Sequence, residues 1–428
     1  MRAKLLAAVF TTIILGASGQ MYYPPLEGDE WEATDPSALN FCPDRIDSLY
    51  AFLEEKNTFS FIMLKEGRMV LEQYFGNYTQ NSIWYWASAG KTLTAYLVGC
   101  AQEDGLLDID DPTQLYLGEG WTTCTPAQEE AITIRHQLSM ISGLNDEVDD
   151  ANCLDPECLE YLVDPGERWA YYNAPYRLLL DVLSETSGQA IGAYTTERMG
   201  ERIGMGGFWL DYVRWGKARD MARFGLLSLN QGVWETDTVL SDATYLYDMV
   251  HPSQDLNRSY GYLWWLNGQE DFMLPGLQLT FGGSLIPDAP DDMYSALGLN
   301  DQKIYVVPSQ DLVVVRQGNS AGEVLAGPSS FDNQLWQMIE DLVCEPSDLA
   351  ENAGVQLSIF PNPVTDEIQI STSATILAYR VRDIHGRPKG SKRPLIEGPI
   401  DCSHLAQGVY LLELETTGGM IRKTFVKN

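Results

Sequence analysis

The placement of its strand-type segments constrains this chain most. Phe59–Lys65 and Met69–Phe75 alternate in polarity around Glu66-Gly67, the pattern of a β-hairpin. Lys303–Val307 and Leu312–Arg316 form a second pair around the turn Pro308-Ser-Gln-Asp311. Between the two pairs the texture is helical. Gly90–Glu103 puts Leu93, Tyr96, Leu97, Cys100 and Ala101 on one face of an amphipathic helix. Ala174–Thr186 and Ala218–Gln231 read as further helices, stopped by Gly188 and Gly232. Strands at both ends and helices in the middle predict an α+β fold. One antiparallel sheet is built from distant segments, flanked by helices, with a helical subdomain inserted.

The ends of the chain have other textures. Arg2 and Lys4, the apolar run Leu5–Leu15 and the small residues Ala17-Ser18-Gly19 predict a signal peptide over 1–19. That run is too short to span a bilayer with margin, and no other segment reads as transmembrane. Residues 20–40, rich in Pro, Asp and Glu, read as an exposed lead-in to a domain over 41–345. A polar linker at 346–355 follows. Residues 356–428, with short strands and turns ending in Gly408-Val-Tyr-Leu-Leu-Glu-Leu-Glu and Lys423-Thr-Phe-Val-Lys-Asn428, predict a small β-sandwich.

Charge and cysteines narrow the setting. Twenty-eight Lys and Arg against 60 Asp and Glu give a net charge of -32. So acidic a surface repels phosphate backbones and anionic lipid, which excludes nucleic acid as a partner. Seven cysteines suit an oxidising compartment, and their odd number leaves at least one unpaired. Spacing alone leaves the pairing open. Cys153 and Cys158 are the favoured local pair, Cys42 and Cys344 could tie the ends of the main domain, and Cys100 reads as a buried thiol. None of the four histidines stands at ligand spacing with a cysteine pair, so no metal and no cofactor is expected. His136 reads as a capping or packing residue, and Trp84, Trp86, Trp169, Trp264 and Trp265 as core or as walls of an apolar pocket.

Three segments carry chemistry. Ser88-Ala-Gly-Lys91 sets a hydroxyl and an amine three residues apart at a helix start, on one face. A serine hydroxyl needs a base. A neutral lysine can serve if burial or a nearby cation depresses its pKa by roughly three units from about 10.4. The helix start also aims the Ser88 N–H at a developing oxyanion. Tyr171-Tyr172-Asn173 adds a phenol that can shuttle a proton, if cations lower its pKa, and an amide that can hold a substrate carbonyl and contact Lys91. Ser295-Ala-Leu-Gly298 adds a glycine on an edge strand, where substrate can approach, and the next N–H, on Leu299, can complete an oxyanion hole. No Gly-x-Ser-x-Gly elbow is present.

In this order the three segments resemble the serine β-lactamase and penicillin-binding-protein superfamily. The chain is most similar to its branch of class C β-lactamases, esterases, D-aminopeptidases and nylon-oligomer hydrolases. Gly105-Leu-Leu-Asp-Ile-Asp-Asp-Pro112, Ile132-Thr-Ile-Arg-His-Gln-Leu-Ser-Met-Ile-Ser-Gly-Leu144, Ala218-Arg-Asp-Met-Ala-Arg-Phe-Gly225, Tyr260-Gly-Tyr-Leu-Trp-Trp265 and Tyr305–Val315 strengthen the likeness, which covers roughly 40–345. It implies a β-lactamase/DD-peptidase-like fold and an acyl-enzyme on Ser88. Lys91 and Tyr171 take its proton, and Tyr171 then serves leaving group and water. The family usually has Lys or His, then Thr or Ser, before the third-motif glycine. Here those places hold Ala296 and Leu297, which points away from β-lactams and toward a small-molecule ester or amide. A DD-peptidase acting on cell-wall peptides, a β-lactamase and a non-catalytic exported binding protein are the rival readings.

Ile359-Phe-Pro-Asn-Pro-Val364, Asp383-Ile-His-Gly386, Leu405-Ala-Gln-Gly-Val-Tyr410 and the basic end resemble the sorting domain of type IX secretion cargo. That likeness implies the type IX machinery as a partner, and export with release or surface attachment.

Overall fold

The computed structural model describes residues 21–322, 327–344, 357–372, 374–383, 389, 393–394, 398–416 and 419–428. The signal peptide expected over 1–19, the linker expected over 346–355 and the Ile384-His385-Gly386 phrase lie outside the described residues. The chain divides into two compact units, one ending at Cys344 and one beginning at Glu345.

In the first unit, six strands form one sheet. They are β1 (Thr58–Lys65), β2 (Arg68–Tyr74), β3 (Trp265–Leu266), β4 (Tyr294–Gly298), β5 (Gln302–Val307) and β6 (Leu312–Gly318). Their order is β2-β1-β6-β5-β4-β3, antiparallel throughout. The two distant hairpins meet at β1 and β6, where Ile62 stands opposite Val315 and Met63 opposite Val314. Every residue of β5 and β6 is buried, the polar Gln302, Lys303, Arg316 and Gln317 included.

Helices cover both faces. They are α1 (Pro43–Glu55), α2 (Gly90–Glu103), α3 (Asn173–Ser187), α4 (Ala218–Leu229) and α5 (Ser330–Glu340). Alternation along β5 sorts them. Ile304 meets α4 at Gly225, where an added Cβ would stand 2.9 Å from Ile304 and 2.6 Å from Val313. Lys303 and Tyr305 face the other way, toward Asp332 of α5. There Lys303 Nζ lies 2.9 Å from Asp332 and 3.2 Å from Asp301, all three side chains buried. The helix expected to be amphipathic, α2, is buried at every position from Gly90 to Ala101. It packs against both α3 and β4, so it has no solvent face to keep polar.

The lead-in is exposed over residues 25–30 but tied at both ends. Tyr22 N–H donates to Glu66 and Thr34 N–H to Met69, so the segment runs beside the free edge of β2. His136 and Thr133 form a reciprocal capping box.

The second unit is a small β-sandwich. Leu357–Phe360, Glu367–Thr372 and Ile400–Asp401 form one sheet. Arg393–Pro394, Ile376–Asp383, Gly408–Thr416 and Gly419–Lys427 form the other. Val364, Ile368, Val381, Leu412, Leu414 and Phe425 make its core.

Two disulfides are present, Cys42–Cys344 and Cys153–Cys158. Cys100 and Cys402 are buried free thiols and Cys124 is half-buried and free. The first bridge spans 302 residues and the second five. Loop-closure entropy alone then assigns the long bridge about 6 kcal/mol and the short one about 2 kcal/mol. A Cys42→Ser/Cys344→Ser variant should therefore melt at a clearly lower temperature than a Cys153→Ser/Cys158→Ser variant in calorimetry.

Candidate active site

Ser88 sits in a single 3-10 turn, Ala87–Ala89, that runs directly into α2. The turn is pinned from behind. Trp86 is fully buried and its N–H donates to Arg214 O at 2.8 Å. Ala87 has φ 48°, a left-handed conformation that costs a non-glycine residue about 1–3 kcal/mol. The anchored tryptophan on one side and the buried helix on the other hold that strain at the residue before Ser88.

Lys91 stands one helical turn on. Its Nζ lies 2.9 Å from Ser88 Oγ and donates to Asn173 Oδ1 at 2.9 Å. Two rings close over it, Tyr176 at 4.0 Å and Tyr171 at 4.8 Å from Nζ to ring centre. Burial, and then the nearby Arg177 guanidinium, hold the Lys91 amine well below its ordinary pKa of 10.5. The shift is toward the neutral amine, whose lone pair can take the Ser88 proton.

Tyr171 stacks on Trp265, with ring centres 5.7 Å apart, and its hydroxyl lies near Ser88. The condition set by the sequence, that cations lower its pKa, is not met, and the shift runs the other way. Burial pushes the phenol above 10.0, and the neighbouring Ser88 hydroxyl and Trp265 offset this only in part. Lys91 lies over the ring face, not beside the oxygen. Tyr171 is thus a neutral hydroxyl, able to donate and to relay.

Gly298 ends β4 against the same turn. A Cβ there would stand 2.5 Å from Trp86 O and 2.9 Å from Ala89 N. Its φ of −127° is open to any residue, so the glycine is needed for space alone. Pairing of β3 stops at Ser295, leaving the rest of β4 as an edge. Leu299 opens the turn that follows, and Arg316, fully buried, fixes that turn by donating to Asn300 O at 3.1 Å and Asp301 O at 2.8 Å.

The structure thus brings Ser88, Lys91, Tyr171 and Asn173 into direct contact and sets Gly298 and Leu299 beside them. Ala296 and Leu297 do not act as a pair. Leu297 stands opposite Lys303, and paired residues share a face, so it points toward α5. Ala296 is on the Gly298 face and is fully buried. Tyr176 escaped the sequence reading, although it follows Asn173 by three residues and helical spacing places it on the same face. Trp265, read from the sequence as core or pocket wall, is buried and stacks on Tyr171. A separate cavity of about 590 Å3, lined by Leu240, Leu246, Met249 and Met293 among others, contains none of the site residues. Among the described residues, no group of three His, Cys, Asp or Glu could hold a metal ion, and no helix is long and apolar enough to cross a membrane.

Gly298→Ala is expected to cut kcat/KM at least about 100-fold, the usual size of losing one oxyanion donor. The methyl must push β4 off the Ser88 turn. Steady-state kinetics on an ester, with a melting curve as control, would check this.

Comparison with known proteins agrees with this geometry. A family model described as Beta-lactamase matches residues 54–335, and one described as Secretion system C-terminal sorting domain matches residues 358–428. An uncharacterized protein of Alkalihalophilus pseudofirmus is 23% identical over 313 residues, covering 61% of this chain and 84% of that protein. The structure of a putative 6-aminohexanoate-dimer hydrolase from Bacillus anthracis aligns with TM-score 0.57 at 19% identity, over 76% of this chain and 90% of that one. A family VIII carboxylesterase structure aligns with TM-score 0.52 at 14% identity, over 70% and 97%. The first match spans the whole six-stranded sheet and the Ser88 site, and the chain belongs to the β-lactamase family, with a type IX secretion sorting domain at its C-terminal end.

Proposed function

We propose that this serine hydrolase of the β-lactamase family cleaves an uncharged ester or small amide through an acyl-enzyme on Ser88. One observation carries the reading: a fully buried Lys91 amine lies 2.9 Å from the Ser88 hydroxyl, in a setting that favours its neutral form. Ser88 Oγ attacks the substrate carbonyl while Lys91 takes its proton. The N–H groups of Ser88 and Leu299 receive the oxyanion. Tyr171 passes a proton to the leaving group as the C–O or C–N bond breaks and is reprotonated from the Lys91 ammonium. Water then attacks the acyl group, giving its proton to Lys91 by way of Tyr171, and Ser88 regains a proton as the acid departs. Asn173 holds the lysine and contacts the substrate.

The preference for an uncharged substrate rests on what surrounds the turn. In relatives that bind penicillins, a lysine and a hydroxyl before the third-motif glycine grip the substrate carboxylate. A charge-assisted hydrogen bond of that kind contributes about 1.5–3 kcal/mol. Ala296 and Leu297 offer no such group. Trp84, Tyr85 and Trp215, partly exposed, cluster next to Trp86 with ring centres 5.1–6.4 Å apart. Such a surface favours apolar acyl or leaving groups. The net charge of -32 adds repulsion toward anions at range. The sorting domain directs the chain through type IX secretion to the cell surface or exterior, so the substrate is one met outside the cell.

Ser88→Ala should abolish ester turnover and covalent labelling by a fluorophosphonate, read by intact-protein mass. Labelling that persists would move the nucleophile elsewhere. The wild-type protein should prefer short-chain p-nitrophenyl esters over nitrocefin by at least about 100-fold in kcat/KM. Equal rates would contradict the substrate class.

A further inference from the structure

We infer that the loop Asn152–Cys158, closed by the Cys153–Cys158 disulfide, is a positioning clip that fixes Asn173 and through it Lys91. The inference rests on the reading of Ser88 and Lys91 as the catalytic pair. It assigns a role to a segment outside the three motifs.

The loop grips two consecutive residues of the second motif, one from each of its ends. At its start, Asn152 Oδ1 accepts a hydrogen bond from Asn173 Nδ2 at 3.0 Å. At its end, the carbonyl of Cys158 accepts from the buried Tyr172 hydroxyl at 2.9 Å. Arg177 Nη1 reaches the Asn152 carbonyl at 3.5 Å. Within the loop, Asn152 N–H donates to Asp150 Oδ1 and Cys153 N–H to Asp150 O. The disulfide joins Cys158 to Cys153, the neighbour of Asn152, five residues away.

The grip on Asn173 has a chemical consequence. The two ends of an asparagine amide are nearly equal in shape, so partners decide which way it points. Asn152 offers an acceptor, which draws Nδ2 and leaves Oδ1 facing Lys91. A flipped amide would turn N–H groups toward the amine. The Oδ1 dipole matters most when Lys91 has taken the Ser88 proton and become an ammonium. The groups facing Lys91 are Ser88 from its own helix, Tyr171 from the preceding segment, and Asn173, Tyr176 and Arg177 from α3. Of the last three, Asn173 alone presents a carbonyl oxygen. Asn152 is itself exposed, and the bridge adds a covalent tie beside it to the packing of Ala151 and Leu154 on the buried cluster around Tyr172.

Asn152 is thus a positioning residue, and its loss should show in the pH profile as well as the rate. Asn152→Leu should lower kcat about 10-fold and move the acid limb of kcat/KM to lower pH, because the ammonium loses its acceptor. Asn152→Asp keeps an acceptor and adds negative charge, so it should retain kcat within about threefold and move the same limb to higher pH. Cys153→Ser/Cys158→Ser should resemble Asn152→Leu. Cys42→Ser/Cys344→Ser, assayed below its melting temperature, should keep wild-type kcat and limb. Wild-type kcat and limb in Asn152→Leu overturns the inference, whatever the bridge variants do. So does a limb that moves the same way in Asn152→Leu and Asn152→Asp. If the wild-type protein is not labelled at Ser88 by a fluorophosphonate, the catalytic reading fails instead, and the two failures are distinguishable.

Discussion

The site depends on one close approach, that of the end of β4 to the turn carrying Ser88. A Cβ on Gly298 would stand 2.5 Å from the Trp86 carbonyl, so sheet and helical layer touch there backbone to backbone. Everything upstream serves that contact. The β1–β6 pairing joins the distant hairpins into one sheet. β5 then carries β4 outward to the edge, and Arg316 fixes the turn after it. From the other side, buried Trp86 and buried α2 fix the serine turn so firmly that Ala87 is held in a left-handed conformation.

The second constraint is electrostatic. Lys91 is buried beside two aromatic rings and an amide oxygen, with no carboxylate among the groups that shift it. Ring faces and a carbonyl stabilise a cation by about 1–2 kcal/mol each. A partnered carboxylate would do more and would hold the lysine permanently charged. Burial and Arg177 therefore pull the resting lysine toward its neutral form, while the rings and Asn173 remain to stabilise the ammonium that forms during acylation. Tyr171 is shifted the opposite way by the same burial, which divides the roles: the amine is the base and the phenol is the relay.

Periodicity made much of this legible. Both hairpins, the Ser88–Lys91 helix and the helices after Asn173 and Ala218 follow from period-two and period-3.6 patterns alone. Ser88 and Lys91 were legible because helical spacing fixes which side chains meet. Three features were not. The direction of the Tyr171 shift depends on burial by Trp265 and Tyr176, which local sequence does not reveal. The face taken by Leu297 depends on register with Lys303, set by a partner strand. Asn152 has no periodic signature, and only the fold places its disulfide loop against Asn173. The bridge pairs Cys42–Cys344 and Cys153–Cys158 stood open on spacing and are resolved by proximity.

A neutral lysine acting as base has a direct signature. The rate at which a fluorophosphonate modifies Ser88 should rise with pH along a single ionisation, that of Lys91. A folded-state pKa depressed by burial places that rise well below the 10.5 of an ordinary lysine. The measurement is the rate constant of Ser88 modification across pH 5 to pH 11, read by mass spectrometry. A rate that levels off before pH 10.5 is the result the account predicts. A rate still climbing through pH 10.5 would mean an ordinary, charged lysine, and would contradict it.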